Sequence, residues 1–171
     1  MMDRQTKGFT AASLLAFALL LQGCGYQPLY ATRADGSSVS QDLASVSVQH
    51  QSTRVGQLVR NEILKSTRPA GTSAPDRYVL NFEARSNAQA LVDTSDTVHR
   101  RLAYNLTAKF YLVDSGSQQT VFSGQAFSRV PYDRLNASFS NVQARVNAEE
   151  QAAQQVGQEM KTRLAAFLAR N

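Results

Sequence analysis

Arg100-Arg101-Leu102-Ala103-Tyr104-Asn105-Leu106-Thr107-Ala108-Lys109-Phe110-Tyr111-Leu112-Val113-Asp114 is the stretch that decides the fold. Leu102, Tyr104, Leu106, Ala108, Phe110 and Leu112 fall on alternate positions. Arg101, Ala103, Asn105, Thr107, Lys109, Tyr111 and Val113 stand between them. Successive side chains of a strand point to opposite faces, so this stretch has one apolar face and one wetter face. The pattern predicts an antiparallel sheet covered on one side only.

Working outward, Asp114-Ser115-Gly116-Ser117 has hairpin-turn chemistry. It leads into a less cleanly alternating strand over Gln119 to Val130. Upstream, Asp76 to Ala88 places Tyr78, Leu80, Phe82 and Ala84 on one face, opposite Arg77, Asn81, Glu83 and Arg85. Leu43 to His50 alternates Val46 and Val48 with Ser45 and Ser47, which reads as a short strand. Thr53 caps a helix from Arg54 to about Ser66, with Val55, Leu58, Val59 and Ile63 at helical spacing. Arg68-Pro69-Ala70-Gly71 ends it. A long helix runs from about Asn136 to Ala169. Its stripe of Phe139, Val142, Val146, Ala153, Val156, Met160, Leu164 and Phe167 is expected to face the core. Glu149-Glu150 is read as part of its solvated face.

The order is β-α-β-β-β-α. It predicts an α+β two-layer sandwich: a four-stranded, mainly antiparallel sheet covered on one face by two helices. The other face stays polar, and the unpaired edges are candidate docking sites.

The N-terminus carries a different signal. Arg4 and Lys7 precede Phe9 to Leu21, an apolar run of 13 residues broken by Thr10 and Ser13. As a helix it rises about 20 Å, too little for a hydrocarbon core of roughly 30 Å, so an export signal is the better reading. Leu21-Gln22-Gly23-Cys24 follows and resembles the lipobox of bacterial lipoproteins. We therefore expect residues 1–23 to be cleaved and Cys24 to carry a covalent lipid. Cys24 is the only cysteine, so no internal disulfide can form. Residues 24–41 read as a lipidated N-terminus and tether, and 42–171 as a single domain. By resemblance to the lipoprotein class, Gly25 in place of Asp favours the outer membrane.

The chain has 171 residues and 18 Lys+Arg against 13 Asp+Glu. Loss of the signal with Asp3, Arg4 and Lys7 leaves 148 residues with 16 basic and 12 acidic side chains, a charge of +4. That surplus suits an anionic partner, and equally an ordinary mixed surface. Nucleic acid is not an expected partner of an exported chain. His50 and His99 are the only histidines. HExxH, CxxC, GxSxG and Gly-rich phosphate loops are missing from the sequence. Asp93, Asp96 and His99 lie in a Ser/Thr/Asp-rich loop and read as surface polarity, not a metal site. No catalytic residues, metal or cofactor beyond the lipid on Cys24 are expected, and the chain is not read as an enzyme.

Gly23-Cys24-Gly25-Tyr26-Gln27-Pro28-Leu29-Tyr30 resembles the start of the LPS-assembly lipoprotein family, LptE. The strand and Arg-bearing helix from Leu43 to Arg60, the Asp76-Arg77-Tyr78 strand opening and the Tyr111-Leu112-Val113-Asp114 strand end fit the same family at the level of pattern. The resemblance implies an outer-membrane lipoprotein facing the periplasm. Its partners would be the LptD-type β-barrel, which it plugs and helps to assemble, and lipopolysaccharide. Lipid A phosphates call for Arg and Lys. Arg85, Arg100, Arg101 and Lys109 are the candidates, with Arg129 and Arg134 behind them, though each alone also reads as surface charge. The competing expectation is a structural or chaperone-like periplasmic lipoprotein that binds another envelope component without touching lipopolysaccharide.

Overall fold

A computed structural model describes residues 38–68, 74–91, 100–135 and 137–170. Cys24, Asp93, Asp96 and His99 lie outside the described residues. The elements run α1 (Val39–Ala44), β1 (Val46–Val48), α2 (Arg54–Thr67), β2 (Tyr78–Ala90), β3 (Arg100–Asp114), β4 (Thr120–Arg134) and α3 (Ser138–Leu168). The sheet order is β1-β2-β3-β4. β1 lies parallel to β2, and the other two pairs are antiparallel. A parallel pair needs a crossover, and α2 supplies it.

β3 sits in the centre and occupies the predicted span. Its even-numbered side chains face the helices. Leu106, Ala108 and Leu112 are fully buried, and Phe110 is 2% exposed. α3 packs across them, and its Val156, Met160 and Leu164 are fully buried; Val59 and Ile63 of α2, also fully buried, lie over β1 and β2 and against α3. Burying one such side chain contributes about 1.5–3 kcal/mol. The register carries this face across the sheet, with Leu80 opposite Leu112 and Ala126 opposite Ala108.

Local chemistry sets the ends of the elements. Thr53 caps α2 as expected, its hydroxyl accepting from the Gly56 amide at 3.1 Å. Asp114 folds the β3–β4 turn by accepting from the Gly116 and Ser117 amides at 3.1 and 2.8 Å. Bonds to the backbone and side chain of Ser117 hold its carboxyl below the ordinary value of 3.8. Stabilisation from a depressed carboxyl is present above the unfolded value and lost as pH falls through the folded one.

Four expectations change. Leu43 does not open a strand; it is buried in α1, a helix opened by a Ser38–Gln41 capping box. The fold thus starts within the stretch read as tether. β1 is left with only three residues. β4 runs on to Arg134, past Pro131. The Phe127 amide points off the sheet to Glu159 Oε2 at 3.1 Å, and Pro131 shares its phase. A proline there costs no ladder bond. Glu149 is not on a solvated face: it is 6% exposed and bonds Arg54 Nε at 3.1 Å, tying α3 to the start of α2. Finally, the apolar stripe of α3 is core-facing only from Ala148 onward. Phe139 and Val142 are 83% and 60% exposed. A 31-residue helix rises about 46 Å, and its first turns lie beyond the sandwich that buries the rest.

Two predictions follow from this packing. A Cβ on Gly124 would stand 2.7 Å from Phe110 Cζ in the core. Gly124→Ala is expected to destabilise the fold by about 1–3 kcal/mol in urea denaturation; unchanged stability would show that Phe110 is free to move. In an NMR titration, the Asp114 carboxyl is expected to reach its midpoint below 3.8. A midpoint at or above that value contradicts the turn geometry.

Candidate functional site

Both long helices lie on one side, so the odd-numbered side chains of β2, β3 and β4 form a second face, exposed over most of its area, on which Ala103 alone among the described residues is fully buried. Four of the basic side chains singled out from the sequence are on it: Arg85, Arg101, Lys109 and Arg129. Arg85 bonds Glu83, two residues back on the same strand, at 2.7 Å. Arg101 bonds Asp133 across the β3–β4 pair at 3.0 Å. Lys109 stands between Glu83 and Gln125 in register. Arg129 lies opposite Asn105. Arg100 opens β3 opposite Arg134; the Arg100 side chain falls outside the described residues.

These cations do not form one clamp. Arg101 and Lys109 are eight residues apart on β3, about 26 Å. Arg85 lies opposite Thr107, next to Lys109, so these two share a zone at mid-sheet. Arg101 belongs to a second zone at the far end. A hydrogen bond and the negative charge of Glu83 raise Arg85 above the ordinary guanidinium value, keeping it charged. The arrangement can hold separate anionic groups along an extended ligand.

Two aromatic side chains complete the face. Tyr111 is 47% exposed and Phe127 is 53% exposed. Tyr111 was assigned to the wetter face from the sequence. Phe127 was missed, because β4 alternates poorly until the hairpin register fixes its phase. A shallow open depression of about 590 Å³ lies here, lined by Glu83, Lys109, Tyr111, Ser123 and Gln125 among others. It offers a cation, a phenol and amide and hydroxyl groups, the chemistry that holds phosphate or sugar. No group of three or more His, Cys, Asp or Glu that could hold a metal occurs among the described residues. No described helix is long and apolar enough to cross a membrane.

On the helix side, Tyr104 is 4% exposed. Burial pushes its phenol above the ordinary 10.0, against a hydrogen bond with Ser86. This group belongs to the packing of the far end of the sheet.

The exposed pairs are predicted to add little to folding. Arg101→Ala should change stability by less than about 1 kcal/mol, read by thermal melting. A larger loss would make the Arg101–Asp133 pair a structural element and not part of a free surface.

No family model matches the chain, and no curated protein does. Solved structures do. A candidate lipoprotein from Caulobacter crescentus superposes with a TM-score of 0.64 at 21% identity, covering 77% of this chain and 96% of that one. A minor lipoprotein from Acinetobacter baumannii gives 0.46 at 10% identity over 71% and 90% of the two chains. The rare lipoprotein B from Shewanella oneidensis gives 0.40 at 16% identity over 71% and 96%. The Caulobacter structure shows that this α+β fold is one found among bacterial lipoproteins.

Proposed function

We propose that this chain is an outer-membrane lipoprotein of the LptE type, anchored through Cys24 at the periplasmic face. It assembles with an LptD-type β-barrel as plug and chaperone and assists the insertion of lipopolysaccharide at the cell surface. The observation that carries this reading is the helix-free sheet face, which is polar, bears cations and exposed aromatics, and is exposed over most of its area. Barrel lumens are lined by polar side chains, so a polar sheet face fits inside one without burying unpaired charge. Lipid A presents phosphates and sugars to Lys109, Arg85 and Tyr111. The lipobox and the Cys24-Gly25-Tyr26-Gln27-Pro28-Leu29-Tyr30 segment support the anchor and the membrane. The fold held in common with the Caulobacter protein is compatible with such a role.

Arg101→Glu combined with Lys109→Glu is expected to weaken lipopolysaccharide binding by about tenfold while the melting temperature holds. The same chain is expected to co-purify with a large outer-membrane barrel in equal amounts. Undiminished lipopolysaccharide binding by the folded double variant would remove the lipid role. Absence of a barrel from the purified material would favour the structural-lipoprotein reading.

A further inference from the structure

A sheet edge exposes unpaired amides and carbonyls, and folded proteins blunt such edges. Two of the edges here are blunted. β1 is three residues long, and Arg60 Nε bonds the outward Val48 carbonyl at 3.3 Å. On β4, Glu159 takes the outward Phe127 amide, and Pro131 has no amide to offer.

The far half of β2 has no such device. β1 pairs only with Tyr78–Leu80, and Gln51 Nε2 reaches the Phe82 carbonyl at 3.3 Å. Beyond Phe82 the outer edge is open among the described residues. Three backbone bonds fix its phase. The Leu91 amide bonds the Arg101 carbonyl at 2.9 Å, the Ser115 amide bonds the Arg77 carbonyl at 2.9 Å, and the Gln49 amide bonds the Leu80 carbonyl at 3.0 Å. Odd residues of β2 therefore bond β3, and even residues point outward. Ala84, Ser86, Ala88 and Ala90 present their amides and carbonyls to the open side. No lysine, proline or bulge interrupts them.

We infer that this edge docks an extended segment of another polypeptide as a fifth strand, one with bulky apolar side chains at alternate positions. The side chains of the edge set that chemistry. In an added antiparallel strand, residues opposite Ala84, Ser86, Ala88 and Ala90 share the helix-side face. These four are small, and all but half-buried Ala84 are exposed. Larger apolar groups would reach over Ala90 toward its β3 partner Leu102, which is only half-buried. The intervening residues of the segment would lie beside Arg85, Asn87 and Gln89 and would be polar. A second copy of β2 is a poor occupant, because it would set Ala and Ser against Ala and Ser and bring no bulky apolar group over Leu102. The inference goes beyond the proposed function: it uses a strand edge, not the cations of the helix-free face.

The test uses the full chain in detergent. The probe is a synthetic ten-residue peptide alternating phenylalanine or valine with threonine, and its control has the same composition with the apolar residues grouped. In the chain alone, the Ala84, Ser86, Ala88 and Ala90 amides are expected to exchange fast. The alternating peptide should slow all four by at least about tenfold and leave Asn87 and Gln89, already bonded to β3, unchanged. Ser86→Pro and Ala88→Pro each remove an outward amide without touching the ladder. Each is expected to weaken peptide binding about tenfold or more with the fold intact by circular dichroism. Four amides already slow in the chain alone, protection by the peptide elsewhere, or equal binding by both proline variants would overturn the inference. Self-association abolished by Ser86→Pro would also overturn it, in favour of a second copy at this edge.

Discussion

The apolar face of β3 must be covered, and most of the architecture answers that requirement. Leu106, Ala108, Phe110 and Leu112 offer a continuous apolar surface along one side of one strand. Water contact with it would cost about 1.5–3 kcal/mol for each large side chain. α3 removes it from water through Val156, Met160 and Leu164, while α2 covers the neighbouring β1 and β2 through Val59 and Ile63 and braces α3. To reach that side, α2 has to cross between β1 and β2, and this crossing makes the first pair parallel. The tight contact between Phe110 and Gly124 belongs to the same layer. Phe122 continues the layer by stacking on Phe167 of α3, with centroids 4.9 Å apart.

Placing both long helices on one side leaves the other side of the sheet to its own side chains. Alternation makes that side polar without further instruction, since each apolar residue turned inward turns a neighbour outward. The cations gather there for this reason and lie at register-determined intervals, not in one cluster. The two ends of the sheet also differ. The chain enters the described fold at α1 and passes to β1, whose Val46 pairs with Tyr78 and through it with Asp114 at the hairpin. Leu135, Phe139 and Val142 are exposed around the start of α3, beside the opposite end of the sheet. A 13-residue β2 spans about 40 Å between those ends.

The sheet was largely legible because period-two patterning reports burial on one face, and β3 has the cleanest pattern. β4 was harder, because an edge strand tolerates Gly124 and Pro131 and its outward Phe127 breaks the alternation. Leu43 was misplaced because six residues are too few to show helical spacing, whereas Val46 and Val48 alternate visibly beside it. The sequence placed Glu149 in water on the evidence of its Gln and Ala neighbours, while the partner that buries it, Arg54, is 95 residues away. The stripe of α3 continues through Phe139 and Val142, and nothing local marks where its cover ends. For the candidate site, alternation correctly put Arg85, Arg101 and Lys109 on the exposed face. Their division into two zones depends on register, which only the paired strands reveal.

The helix-free face is the proposed working surface of the molecule. A photo-crosslinking amino acid placed at Phe127, on that face, can be compared in cells with one at Gln158, exposed on α3. Position 127 is expected to capture an outer-membrane barrel, and position 158 to do so far less. Capture from 158 with none from 127 would contradict that assignment.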